Sequence, residues 1–268
     1  MLKTGKIRAG IGGWTFEPWR GVFYPPKLTH AKELHYASRE LPTIEINSTY
    51  YGSQKASSFA KWADETPPDF IFTVKGPRFA TNRRVLAEAG DSIARFFQSG
   101  VTLLGDKLGP LVWQFAPTKK FDESDFGAFL ELLPDKHDGV ALRHAVEVRH
   151  PSFCSPAFIK LIRSFSVPVV YADHATYPAI GDVTGDFVYA RLQRGEDAIA
   201  TAYSAKALDG WAARAETWAA GSVPDDLPVI DPDSHTRKTR RDVFVFFIHE
   251  GKVRAPAAAK AFMERVAK

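Results

Sequence analysis

Glu45, Asn47, Lys75, Gln114, Glu147, Arg149, Asp173 and Arg191 are polar residues set into or just after short runs that are otherwise apolar, β-branched or aromatic. By type they are three carboxylates, three cations and two amides. A carboxylate becomes useful in proton transfer when a buried setting moves its pKa, which makes Glu45 and Glu147 candidate acid/base groups. Lys75 is the third catalytic candidate; desolvated, it would serve as a Schiff-base nucleophile, although a Lys–Glu ion pair accounts for it more simply. Arg149 and Arg191 carry planar forks suited to phosphate or carboxylate, and with Lys75 they would hold an anion that Asn47, Gln114 and Asp173 orient.

These residues need a scaffold that brings them together. Strand-like runs fall at 7–12, 43–48, 70–75, 110–115, 144–149, 167–173, 186–192 and 243–248. Amphipathic stretches lie between them at 29–40, 53–65, 91–104, 122–133, 155–165, 204–220 and 255–267, with Thr29 and Ser53 as expected N-caps of the first two. Alternating strands and helices predict an α/β protein with a parallel sheet. Eight strands in 268 residues suit a closed (β/α)8 barrel of the TIM type, whose usual length is about 250. Between 173 and 186 there is room for a turn but not for a crossover helix, so the sixth β/α unit is expected to be degenerate. With no linker rich in Gly, Ser or Pro, residues 1–268 are expected to form a single domain, with one long loop from about 221 to 242.

Alternation then places the chemistry. Ile44 and Ile46 share one face of the second strand and Glu45 and Asn47 the other; Val146 and Val148 oppose Glu147 and Arg149 in the fifth. If the apolar face packs on helices, the polar set converges on the C-terminal mouth, where such barrels keep their active sites. Two alternatives stay open there: a self-neutralising ion-pair plug, or a ligand site. On the second, the charges await a ligand, and Glu147→Gln would cost the unliganded protein less than about 1 kcal/mol.

Further residues extend the candidate site. Lys75-Gly76-Pro77-Arg78 through Arg83-Arg84 puts cations in a strand-end loop, and Arg78 joins the anion-binding set. Trp14, Phe16, Trp19, Phe23, Tyr24, Tyr50 and Tyr51 follow the first two strands, where Tyr50 in particular could stack on a sugar or base, or the group could be a packed collar. His150 is a further ligand-binding candidate. Glu45, Glu147 and Asp173 with His150, His174 or His249 could also serve a divalent ion, but three cations in the same mouth oppose one, and no cofactor is expected. Gly10-Ile11-Gly12-Gly13 has the wrong spacing for a nucleotide loop. The run His235 to Arg241 is strongly basic but precedes the eighth strand, at the opposite end of the barrel.

Composition adds bounds. At 45% hydrophobic and 25% charged the chain is not disordered, and 35 Lys and Arg against 31 Asp and Glu is a mild surplus. The one cysteine, Cys154, excludes an internal disulfide. No export signal or long apolar stretch is present, so the expected compartment is the cytoplasm, with no membrane partner and an oligomeric state left open.

Gly10-Ile11-Gly12-Gly13-Trp14, Glu45-Ile46-Asn47-Ser48-Thr49-Tyr50-Tyr51, Phe72-Thr73-Val74-Lys75 and Glu147-Val148-Arg149-His150-Pro151-Ser152 resemble, in this order, the YecE-like family, domain of unknown function number seventy-two. The resemblance covers essentially the whole chain. It implies a TIM-type barrel related by fold to apurinic-site endonucleases and xylose-isomerase-like barrels. The chain departs from the family pattern at Phe247-Ile248-His249-Glu250, at Ala258, at Gln193-Arg194 and at Thr81-Asn82, where the family often carries Asn or His. The expected function is acid/base chemistry on a small anionic, phosphorylated or carboxylated, sugar-like substrate. A nucleic-acid-binding protein and a non-catalytic ligand sensor are the alternatives.

Overall fold

The computed structural model describes residues 5–232 and 238–266. Eight strands carry the site: β1 (Ile7–Gly12), β2 (Thr43–Ile46), β3 (Ile71–Lys75), β4 (Leu108–Gln114), β5 (His144–Glu147), β6 (Tyr171–Asp173), β7 (Phe187–Arg194) and β8 (Asp242–Glu250). Their order around the sheet is β5-β4-β3-β2-β1-β8-β7-β6, and every neighbouring pair is parallel. The two ends of this order meet at a bridge between Val146 and Val169. There Val146 N–H donates to Pro168 (3.0 Å) and Val170 N–H to Val146 (2.8 Å), so the sheet is a nearly closed barrel.

Parallel neighbours require crossovers, and helices provide them after every strand but one. They are α1 (Glu33–Glu40), α2 (Ala56–Glu65), α3 (Gly90–Gln98), α4 (Glu123–Glu131), α5 (Pro156–Ser164), α6 (Ala205–Ala219) and α7 (Ala255–Val266). Asp122, Ser155 and Ser204 cap α4, α5 and α6 with their side chains. Thr29 and Ser53 do not cap as expected. A 3-10 turn, His30–Lys32, separates Thr29 from α1, and α2 opens after Lys55. The stretch expected as one helix over 91–104 breaks at Gly100, whose φ of 93° is left-handed, and continues as a 3-10 segment, Val101–Lys107. Residue 267 of the last expected helix lies outside the described residues.

The sixth unit has no helix between Asp173 and Phe187. Side chains do the work of a crossover there. The buried Thr184 hydroxyl accepts from Val169 N–H (2.8 Å) and donates to the Val167 carbonyl (2.8 Å). The Asp182 carboxylate accepts from Ile230 N–H (2.7 Å) and Asp231 N–H (3.0 Å), tying the long loop before β8 to the missing unit.

Strand residues alternate between two apolar environments. Ile44, Ile46, Val74, Trp113 and Val146 pack outward in the large helix-covered core. Val112, Ala145, Val170, Tyr189, Phe244 and Phe246 fill the lumen. Phe244 and Phe246 lie near-parallel to Tyr189, with centroids 6.3 Å and 5.0 Å from its ring. The lumen is therefore plugged by hydrocarbon at its base, and the polar residues sit above it. Of the basic run, His235, Thr236 and Arg237 lie outside the described residues. Arg240 borders a cleft with Arg8, Arg143 and Asp242 at the N-terminal ends of the strands, the end opposite the polar mouth.

Candidate functional site: a cationic mouth over a buried ion-pair layer

Register brings the polar side chains to one level: Glu45 pairs with Thr73 across β2 and β3, Gln114 with Glu147 across β4 and β5, and Arg191 with Phe246 across β7 and β8. Glu45 and Glu147 are both 0% exposed, so their charges persist only if fully paired. Arg191 supplies most of that pairing. One guanidinium nitrogen donates to Glu45 Oε1 (3.0 Å); the other donates to Glu147 Oε2 and to Gln114 Oε1 (3.2 Å). Arg149 takes the remaining Glu147 oxygen through Nε (2.7 Å) and a terminal nitrogen (2.6 Å). Tyr189 O–H donates to Glu45 Oε2 (2.7 Å), and its own oxygen lies 2.9 Å from the Thr73 hydroxyl. All four carboxylate oxygens are thus engaged.

The electrostatics follow. Burial would push the Glu147 carboxyl up, but Arg191, Arg149 and Lys75 outweigh it and hold it down at about 2. Burial works against the Arg191 charge, and Glu147 and Glu45 more than restore it, so its pKa is raised. Burial lifts Tyr189 well above an ordinary phenol, with Glu45 adding to the effect. Lys75 stands apart. Its ammonium nitrogen donates to Gln114 Oε1 (2.7 Å) and lies 4.1 Å from the centre of the Tyr50 ring, with no ion-paired carboxylate among the described residues. Burial and then Arg191 lower its pKa to about 8, against the opposing pull of Glu45 and Glu147.

Above this layer opens a cavity of about 650 Å³. Its charged lining consists of Lys75, Arg149, Arg191 and Lys252, with no carboxylate among the described lining residues. Asn47, Gln114 and Gln193 add amides, and Trp14 and Tyr51 add aromatic walls. Gln193 is 2% exposed, and its side-chain nitrogen has no hydrogen-bond partner among the described residues. Gly12 lets Asn47 and Ile248 pack close against β1, since a Cβ there would lie 2.8 Å from Asn47 Nδ2 and 3.1 Å from Ile248. Tyr177, from the loop that replaces the sixth helix, lies over the Arg149 guanidinium at 4.5 Å and is itself stacked on His174 at 3.7 Å.

The sequence expectations divide accordingly. Glu45, Lys75, Gln114, Glu147, Arg149 and Arg191 do meet, with Asn47 on the wall, but Glu45 and Glu147 lie beneath the cavity rather than on its surface. Tyr50 is a support under Lys75 and does not line the cavity; its neighbour Tyr51 does. Three residues are placed elsewhere. Asp173 shares the outward phase of Tyr171, faces Arg194 at 3.9 Å, and has its pKa raised by burial. His150 accepts from Ser152 N–H (3.1 Å) and caps the turn Pro151–Phe153. Arg78 is exposed on the short helix Arg78–Thr81, outside the cavity, 5.8 Å from the Tyr51 ring. With Asp173 and His150 turned away, the ligand set considered for a divalent ion is not assembled, and no group of three or more His, Cys, Asp or Glu gathers among the described residues. The collar is mostly packing, since Trp19 and Tyr24 are buried and only Trp14 and Tyr51 contribute aromatic faces beside Trp19 at the cavity edge. Tyr189, Gln193 and Lys252 were not foreseen. The first two sit two residues either side of Arg191, so the period of a strand was the signal for both.

Comparison with known proteins agrees with this architecture. A family model described as "Protein of unknown function DUF72" matches residues 8–268. UPF0759 protein YunF of Bacillus subtilis (strain 168) is 30% identical over 165 residues, covering 59% of this chain and 56% of YunF. UPF0759 protein YecE of Escherichia coli (strain K12) is 27% identical over 150 residues, covering 55% of this chain and 50% of YecE. The chain thus spans about half the length of the curated relatives it matches. A crystal structure of a DUF72 family protein from Thermotoga maritima MSB8 superposes with a TM-score of 0.73 at 22% identity, covering 98% of this chain and 100% of that one. SacUVDE superposes with a TM-score of 0.56 at 9% identity over 96% of this chain and 98% of its own, a likeness of fold alone. No helix among the described residues is long and apolar enough to cross a membrane.

Proposed function

The chain belongs to the DUF72 family, and from that premise we propose that its mouth binds a small anionic, sugar-like molecule, phosphorylated or carboxylated, on which Lys75 moves a proton. The observation that carries this proposal is the cavity lining: Lys75, Arg149, Arg191 and Lys252 face the space, while both neutralising glutamates are spent beneath it. Glu45 and Glu147 act by fixing the arginine forks: their oxygens are taken up by Arg191, Arg149 and Tyr189, and the Glu147 carboxyl, held near 2, is a poor proton acceptor at neutral pH. Lys75, near 8, is the group matched to proton transfer close to neutrality. Arg149 and Lys252 grip the anion, Asn47 and Gln193 bond hydroxyls, and Trp14 offers a face to a sugar ring.

A second role has one observation in its favour. Tyr51 and Phe79 are 62% and 59% exposed and flank Arg78 at the rim, an arrangement suited to stacking the bases of a single strand.

The test is thermal unfolding in sulfate and in chloride at matched ionic strength. A ligand at about 100 times its Kd adds about 2.7 kcal/mol to the folded state. Sulfate is expected to raise Tm beyond chloride, and Arg149→Ala to remove the difference. Equal shifts in the two salts would overturn the proposal. Tight binding of a DNA single strand that collapses as salt rises would favour the second role.

A further inference from the structure

We infer that Lys75 is a covalent nucleophile, and that the molecule bound in the mouth is an anion that also carries an aldehyde or ketone, captured as an imine on Lys75 Nζ. The inference rests on the anion-binding proposal above, and it goes further by naming the reacting group of the ligand.

The geometry that supports it is the division of partners in the buried layer. A buried lysine is ordinarily held charged by a carboxylate. Here Glu147 is consumed by Arg149 and Arg191, and Glu45 by Arg191 and Tyr189. Lys75 is left with one neutral acceptor, Gln114 Oε1, and an aromatic face. It is 4% exposed, yet it lines the cavity, so a ligand reaches it with little bulk water in competition. Arg191, fixed in the same layer, further disfavours an ammonium at this position. Desolvation and a neighbouring cation are the two devices by which lysines are made nucleophilic. The lowering from 10.5 to about 8 leaves about two orders of magnitude more free amine at neutral pH than an ordinary lysine has. An anion on Arg149 and Lys252 would fix the carbonyl carbon near Nζ, replacing an encounter by a positioned attack.

The step balances within ligand, lysine and water. The ammonium first yields a proton, and the amine lone pair then forms the N–C bond as the carbonyl π pair moves to oxygen. That oxygen takes up the released proton and a second from nitrogen and leaves as water. One proton remains on the iminium nitrogen, so ammonium plus carbonyl gives iminium plus water, with no oxidation or reduction.

The experiment uses pyridoxal 5′-phosphate, an anionic aldehyde, with borohydride to trap any imine, followed by intact-mass measurement and peptide mapping. One reduced adduct on Lys75 is expected, suppressed by excess sulfate and far weaker with phosphate-free pyridoxal. Lys75→Arg, which keeps the charge, is expected to lose the adduct. Should that variant not fold, sulfate protection of Lys75 in the wild-type chain decides the matter alone. A sulfate-dependent Tm rise without trapping at Lys75 would overturn the nucleophile and leave the anion site standing. Labelling only of exposed lysines, insensitive to sulfate, would overturn it as well. Absence of both the Tm difference and the adduct would remove the anion-binding proposal together with this one.

Discussion

Glu147 has no exposed surface and accepts from two guanidinium groups, so replacing it takes the carboxylate from Arg149 and leaves Arg191 with Glu45 alone. Removing one partner of a buried pair costs about 3–5 kcal/mol. Glu147→Gln is therefore expected to lose that much in urea unfolding, against the loss below about 1 kcal/mol anticipated from the sequence. The difference arises because Glu147 does not wait for a ligand; it is satisfied within the protein. Its pKa falls from 4.5 unfolded to about 2 folded, so its stabilisation is complete above about 4.5 and drains away as pH drops through 2. Lys75 has the opposite effect. Below pH 8 it is charged in both states and its burial is unfavourable. Between about 8 and 10.5 the unfolded chain binds more protons, so this group's contribution to stability rises with pH. Lys75→Met is expected to flatten that rise in a pH series of unfolding midpoints; an unchanged slope would mean that Lys75 titrates normally in the folded protein.

At the level of elements, strand period and spacing made the barrel legible. All eight strands fall where apolar alternation put them, although β6 begins only at Tyr171 and β8 runs on to Glu250. The phase of Glu45, Glu147 and Arg191 was readable for the same reason, since a strand leaves one choice of face. Asp173 lies on the outward phase of β6 with Tyr171, a phase that a strand of only three residues does not reveal in sequence. His150 and Arg78 lie beyond strand ends, where period gives no direction and local hydrogen bonding or exposure decides. The helix missing after β6 was legible from length alone, but its replacement was not, because Thr184 reads as an ordinary loop residue. Its hydroxyl both gives and takes a bond at the barrel seam. Thr184→Val is expected to orphan the Val169 N–H, costing about 1–3 kcal/mol and speeding amide exchange at Val169. Unaltered exchange there would show that the seam is held by the strand bridge alone.

On the scale of the whole molecule, the layer joins parts of the chain that are far apart in sequence: Glu45 to Arg191 across 146 positions, Tyr189 to Glu45 across 144, and Glu147 to Arg191 across 44. Hydrocarbon fills the lumen below it and the cavity opens above, so the layer is the boundary between a dry interior and the mouth. That position has a consequence in time. Arg191 comes within reach of Glu45 only when β1 and β2 are in register with β8 and β7, and until then each charge remains hydrated. Contacts formed after the folding barrier slow unfolding and leave the rate of folding nearly untouched. Stopped-flow traces of Glu147→Gln are thus expected to show an unfolding limb faster by roughly two to four orders of magnitude and a refolding limb close to wild type. The glutamates and arginines would then act as a latch, setting how long the finished barrel persists rather than how quickly it assembles.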